Sequence, residues 1–401
     1  MDRIALMKNQ VKEYAWGSRT AIPSLLGLPV PSEKPVAELW LGAHPGAPSQ
    51  VMVNGEWQPL DQAIRKDPVS TLGRQAAERF SNTLPFLFKV LAAESPLSIQ
   101  VHPNLEQARA GFEKEKRLGI PLSATERNYK DPNHKPEILC AMTRFELLKG
   151  FRPPGDIADL LGKVCDNALA DELGVLKTKP DGFGLRRFFA SILSMKESRK
   201  REIICRAADR ASSFAREERA FHWVVQLGHA YPGDIGILSP LIFNLTILSP
   251  GEAVFVGAGE AHAYLEGVGV ELMANSDNVV RGGLTRKHVD VPELLRIMTF
   301  KPTRVQKIRP RRGRQEAERT YETPAAEFQL SVITVSDSVS FLSEKERSID
   351  ILLCTEGTAR VQDVTKGRFK TVERGVSLLV PAAVGAYRID GKAILYRATV
   401  H

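Results

Sequence analysis

No run of eighteen or more apolar residues occurs anywhere in this chain, which excludes a membrane-spanning helix of ordinary length. The opening Met1-Asp2-Arg3 lacks the charged segment and apolar stretch of a secretory signal, so the expected compartment is the cytoplasm and no membrane partner is expected. Cysteine is scarce. Cys140, Cys165, Cys205 and Cys354 are scattered with no C-x-x-C spacing, a pattern of reduced thiols that argues against a disulfide scaffold or a thiolate metal site. Acidic residues are outnumbered, 47 against 55 Lys and Arg, for a net charge of +8. That excess invites a nucleic-acid partner, and its best support is Lys301, Arg304, Lys307, Arg309, Arg311, Arg312 and Arg314. The cluster has no interleaved aromatics and is broken by Pro302, Pro310 and Gly313, so it reads as a solvated linker and no nucleic-acid partner is expected. Surplus positive charge can instead steer a small anionic substrate.

What is present is a chain too long for one hydrophobic core, with 401 residues of which 43% are hydrophobic. Short β-rich runs broken by Gly, Pro and Asn fill residues 1 to about 150, such as Leu39 to Ala43, Val51 to Val53 and Phe86 to Leu91. From Ile157 to Leu227 the period becomes helical, with Ile203, Ile204, Ala207, Ala211 and Phe214 as an apolar stripe. Strands resume at Leu245 to Leu248 and Ala253 to Val256, and a last group covers Phe328 to Thr334, Ile349 to Cys354, Gly375 to Val380 and Ala393 to Ala398. Turns are expected at Thr355-Glu356-Gly357 and Glu373-Arg374-Gly375. The expected class is mainly β with a helical insertion. Its units are a discontinuous one over 1–152 and 228–305, the insertion over 153–227, and a C-terminal one over 315–401.

The segment Ser98-Ile99-Gln100-Val101-His102-Pro103 carries the most chemistry, because strand alternation sends the Gln100 and His102 side chains out of one face. A lone histidine in an apolar strand is more often a core residue than a ligand. Here Asn133-His134-Lys135-Pro136-Glu137 adds a carboxylate and Gly259-Glu260-Ala261-His262-Ala263-Tyr264 a second imidazole. Gln100, His102, Glu137 and His262 thus make a four-donor N/O set that suits one zinc ion and, lacking thiolates, favours a catalytic over a structural site. His44, His134, His222, His229 and His288 are read as structural or surface histidines. Donors spread over several strands describe a jelly roll of the cupin kind, whose mouth can hold a metal.

Five segments now carry a family resemblance: Tyr14-Ala15-Trp16-Gly17-Ser18, Ala37-Glu38-Leu39-Trp40-Leu41-Gly42-Ala43-His44, Pro96 to Pro103, Tyr129 to Glu137, and Asn275-Ser276-Asp277-Asn278-Val279-Val280-Arg281-Gly282-Gly283-Leu284-Thr285. Together they resemble the type I mannose-6-phosphate isomerases. The resemblance implies two jelly-roll barrels of the cupin kind with a helical domain inserted in the metal-bearing one. It also implies a phosphosugar substrate. A monomer is expected. Before the second histidine, where the family often has a Thr-Pro pair, this chain has Glu260-Ala261, which changes the turn leading to His262.

Moving a proton between C1 and C2 of an aldose or ketose phosphate through a cis-enediol needs a base, an oxygen polariser and a phosphate anchor. Arg281 is a permanent cation for the enediolate or the phosphate, and its neighbours Gly282 and Gly283 are expected to bring backbone close to a ligand. Lys135 shares a strand face with Glu137, and Lys89, Lys287 and Ser98 are further phosphate candidates. Glu271, a carboxylate between apolar residues, is the expected base, its pKa raised by desolvation; Asp277 is the second choice. Trp16 and Tyr264 are expected to wall the pocket, with Glu38 and Trp40 beside them. Two other readings of the same donors are an iron oxygenase, against which Gln100 as an added donor argues, and a barrel that only binds sugars.

Overall fold

The computed structural model describes residues 1–313 and 315–401, so Arg314 of the basic cluster lies outside the described residues. Helices and two large antiparallel sheets make up the fold, and the strand order of neither sheet returns on itself to close a barrel. One sheet of ten strands runs Phe243–Leu248, Phe145–Phe151, His262–Ala274, Phe86–Ala93, Glu38–Gly42, Gln10–Lys12, with Glu137–Ala141, Ala253–Val256, Gln100–Val101 and Val280–Arg281 paired off that path. The other, of eleven strands, is built mainly from residues beyond 310 but takes in the N-terminal strand Ala5–Lys8, held between Ser377–Val380 and Gln50–Val53.

The Phe86–Ala93 run, FLFKVLAA, is apolar on both faces because both are covered, and all eight of its residues are buried. One face meets the other sheet through Phe86, Phe88 and Val90, which share a core with Ile351, Leu353, Leu379 and Ala398. The other turns toward an interior made by Leu91, Leu139, Leu147, Val254 and Tyr264, and Lys89 is the one charge carried on it. Helices from Pro154–Cys165 to Arg219–Ala230 pack their apolar stripes on Leu148, Phe151, Ala263 and Leu265. Ile203, Ile204, Ala207 and Ala211 are buried as the periodicity requires.

Two local expectations fail for identifiable reasons. Residues 1–150 are not strands alone: helices occupy Leu60–Lys66, Pro68–Leu72, Arg74–Arg79 and Leu105–Arg117. The last begins at a capping box, Asn104 accepting from Gln107 N while the Gln107 side chain accepts from Asn104 N. At Thr355-Glu356-Gly357 there is no chain reversal; the strand Asp350–Asp363 runs straight through, and a register shift between Cys354 and Glu356 marks a β-bulge there. Gly282 and Gly283 also have a packing reason, since a Cβ on Gly282 would meet Ile99 Cγ2 at 3.1 Å and one on Gly283 would meet Asp234 Oδ1 at 3.2 Å. Among the described residues no helix is long and apolar enough to cross a membrane.

Three members of the basic cluster are engaged with acid groups. Lys307 Nζ and Arg309 Nη2 both lie 3.0 Å from Glu252, and Arg311 Nη1 lies 3.0 Å from Glu322. None of the described members of the cluster lines the cavity beside the candidate metal ligands, so they should be dispensable for chemistry. Replacing Arg311 and Arg312 with Gln is expected to leave kcat and KM nearly unchanged at moderate salt. Salt-sensitive nucleic-acid binding that the change removes would count against that reading.

Candidate metal centre and its pocket

Sheet register, not chain proximity, assembles the centre. His262 opens its long strand directly opposite Gln100, and Arg281 faces Gln100 from the other side, so the amide stands between an imidazole and a guanidinium. Glu137 begins the neighbouring strand opposite Met273. One ligand atom each from His102, Glu137 and His262 lie within 4.8 Å of one another, and all three residues are buried. Glu137 Oε1 is 2.9 Å from His262 Nε2 and 3.5 Å from His102 Nε2.

The tautomers follow from the outer contacts. His102 Nδ1 is 2.8 Å from the Asn278 carbonyl and His262 Nδ1 is 3.1 Å from the Glu260 carbonyl. A carbonyl only accepts, so each ring carries its hydrogen on Nδ1 and turns an Nε2 lone pair inward. His102 Nε2 is buried with no hydrogen-bond partner. Two lone pairs and a carboxylate oxygen converging in a dry place repel each other unless a cation satisfies them, and the N/O donor set fits a borderline divalent ion. Burial, followed by the Lys135 ammonium, pushes the His102 imidazole down to about 4, which keeps it a neutral ligand. Burial pushes the Glu137 carboxyl up, but Lys135 and His102 outweigh it and hold the group well below the usual carboxylate range.

Glu260-Ala261 does not misdirect His262. The Glu260 carboxylate accepts from Gly257 N at 2.8 Å and from Lys149 Nζ at 2.7 Å, and this pinned turn presents the carbonyl that orients the ring. Gly259 makes the turn possible at φ +77°, where a Cβ would also stand 2.4 Å from Thr299 Oγ1.

A cavity of about 470 Å³ opens beside this cluster and is lined by Trp16, Lys89, Ser98, Gln100, Lys135, Glu137, His262, Tyr264, Glu271, Asp277, Arg281 and Lys287. Every candidate residue except the fully buried His102 therefore meets the same space. Arg281 and Lys287 have no acidic partner among the described residues, and burial pushes both pKa values down, helped at Lys287 by Arg281. Uncompensated cations in a pocket are a demand for an anion.

Glu271 is not the isolated carboxylate that its apolar neighbours suggest. Directly opposite Lys89 in the sheet, it accepts from Lys89 Nζ at 2.9 Å and from the Tyr264 hydroxyl at 3.0 Å. Burial lowers the Lys89 pKa, but Glu271 and then Glu38 more than offset it, so the ammonium stays charged. Glu38, 3.5 Å from Lys89 and bonded by Trp40 Nε1 at 2.8 Å, has a larger part than pocket wall. Asp277 is half exposed to the cavity, with His44 Nε2 3.3 Å from its Oδ2. Arg286, Thr285 and Tyr14 also line the space; Tyr14 and Thr285 fall inside two of the five segments that carry the resemblance, whereas nothing in its local sequence marks Arg286.

A buried His-Glu-His cluster opening on a pocket with unpaired cations defines a metal-assisted enzyme for a small anionic molecule. The family model for the catalytic domain of type I phosphomannose isomerase matches residues 4–154. A mannose-6-phosphate isomerase of Salmonella typhimurium is 42% identical over 354 residues, 88% of each chain, and the human one is 34% identical over 409 residues, 95% of this chain and 94% of its own. A crystal structure of the Salmonella typhimurium enzyme bound to its substrate fructose 6-phosphate and zinc superposes with a TM-score of 0.89 at 38% identity, covering 99% of both chains. The chain belongs to the type I phosphomannose isomerase family.

Proposed function

We propose that this chain interconverts mannose 6-phosphate and fructose 6-phosphate by moving a proton between C1 and C2 through a cis-enediol, with one zinc ion held by Gln100, His102, Glu137 and His262. The observation that carries the proposal is the convergence of the two Nε2 atoms and Glu137 Oε1 beside a cavity holding unpaired Arg281 and Lys287. The bound ion would supply Lewis-acid polarisation of the sugar oxygens.

The chain's own groups divide the remaining work. Lys287 and Ser98 receive the phosphate, and Trp16 and Tyr264 flank the sugar. Lys135, 3.6 Å from Glu137 Oε2, places an ammonium beside the reacting oxygens. Asp277 is the carboxylate that takes the proton from C2 and returns it to C1, because among the described residues no hydrogen bond engages its Oδ1, whereas both Glu271 oxygens are taken by Lys89 and Tyr264. Glu271 thereby serves as the counter-ion that keeps Lys89 charged. Arg281 sets its guanidinium against the negative charge that develops on the enediolate oxygen. Two jelly-roll units with a helical insertion over 153–227, a cytoplasmic setting and a monomer complete the proposal.

A coupled assay of mannose 6-phosphate conversion tests the reading, and absence of turnover by metal-replete protein overturns it. A narrower test addresses Arg281→Lys, which keeps the charge but loses the planar fork. A fall of roughly ten- to a hundredfold in kcat/KM is expected, about 1.5 to 3 kcal/mol of transition-state stabilisation. Loss in kcat would place the guanidinium at the enediolate, and loss confined to KM would move it to the phosphate.

A further inference from the structure

His44 looks like a core histidine: it is 6% exposed, and its ring stands edge-on to Trp40 with centroids 4.9 Å apart. Its two nitrogens, however, are not equivalent. Gly46 N donates to Nδ1 at 3.1 Å. Because a backbone amide only donates, Nδ1 holds a lone pair and the ring hydrogen must sit on Nε2. That nitrogen lies 3.3 Å from Asp277 Oδ2. On the far side of Asp277, its own amide donates to Asp131 Oδ2 at 2.8 Å, which fixes the backbone from which the carboxylate reaches out.

We propose that His44 is the positioning residue for Asp277, aiming its carboxylate into the pocket for proton transfer. The arrangement has a definite order: a backbone amide sets the imidazole tautomer, the imidazole turns its Nε2 hydrogen toward one carboxylate oxygen 3.3 Å away, and the other oxygen is left for substrate. His44 touches no substrate and exchanges no proton with it. The inference rests on the reading of Asp277 as the proton acceptor. The charged and titratable groups around Asp277 are His44, Lys135, Lys89, Lys130, Asp131 and Tyr14. Burial pushes the Asp277 carboxyl up, and His44, followed by Lys135 and Lys89, outweighs it and leaves the group below the ordinary range.

The sign of the effect follows. Asp277 accepts a proton only when ionised, so removing a donor that favours the carboxylate raises the pH at which activity is lost on the acid side. His44→Phe keeps a ring against Trp40 and removes the donor. In zinc-loaded enzyme of verified metal content it should move the acidic limb of kcat/KM up by about one unit, with a roughly tenfold loss at the low end of the range. His44→Gln, which can put an amide N–H near the Nε2 position, should restore most of the parent profile. A His44→Phe profile that superposes on the parent overturns the inference. If that variant does not fold, the tautomer decides: ring nitrogen resonances of the parent holoenzyme should show His44 protonated on Nε2, and a hydrogen on Nδ1 overturns it. Asp277→Asn separates the two levels, because near-parent turnover there removes the underlying base reading whatever His44 does.

Discussion

Stripping the protein with a chelator is expected to abolish isomerisation, and added zinc to restore it. His102, Glu137 and His262 are buried, and the Asn278 and Glu260 carbonyls fix the two imidazoles from behind, so the site is preorganised for an ion. The Lys135 ammonium, 3.6 Å from Glu137 Oε2, can compensate the carboxylate but cannot reach the buried His102 Nε2 lone pair by any contact present. Thermal stability should fall with activity, because an ion that binds only the folded chain adds its binding free energy to folding. Full turnover in protein shown by elemental analysis to be free of metal would sink the reading, and restoration by ferrous ion but not by zinc would reassign the metal.

Asp277→Asn should lower kcat by about 100-fold or more, since general-base catalysis contributes on that scale and the amide has nearly the same shape. KM should change little, because Lys287 and Ser98 remain to hold the phosphate. Glu271→Gln is a sharper comparison than it first looks. It leaves Lys89 buried with only Glu38 at 3.5 Å for compensation, so it should also cost activity, but through the lysine, and with it a drop in melting temperature. If Asp277→Asn keeps near-normal kcat while Glu271→Gln loses it without loss of stability, the two carboxylates exchange roles.

His102, Glu137 and His262 were legible in the sequence as residue types in strand-like company, which survives any tertiary arrangement, although only sheet register brings them together. The helical segment was legible for a similar reason: a 3.6-residue stripe such as Ile203, Ile204, Ala207 and Ala211 can be buried in only one way. Pairing was not. Lys89 and Glu271 stand 182 residues apart, and only the register of Phe86–Ala93 against His262–Ala274 makes them partners, so Glu271 read as a solitary acid. His44 read as structural because the amide that sets its tautomer and the aspartate that receives its hydrogen are both supplied by folding. The helix at Leu105–Arg117 was announced by Asn104 and Gln107, a signal weaker than the strand-rich company around it.

The first strand of this chain lies between its second sheet partner, Gln50–Val53, and Ser377–Val380, with Ala5 opposite Leu379 and Leu6 opposite Leu378. On a ribosome, one edge of Ala5–Lys8 can pair early and the other must wait for almost the entire chain, about 20 to 80 s at 5–20 residues per second. During that interval the nascent protein carries a bare strand edge ready to pair with another copy. Nascent chains arrested before Ser377 should therefore show this edge open to exchange and to proteolysis, and release of the full length should close it.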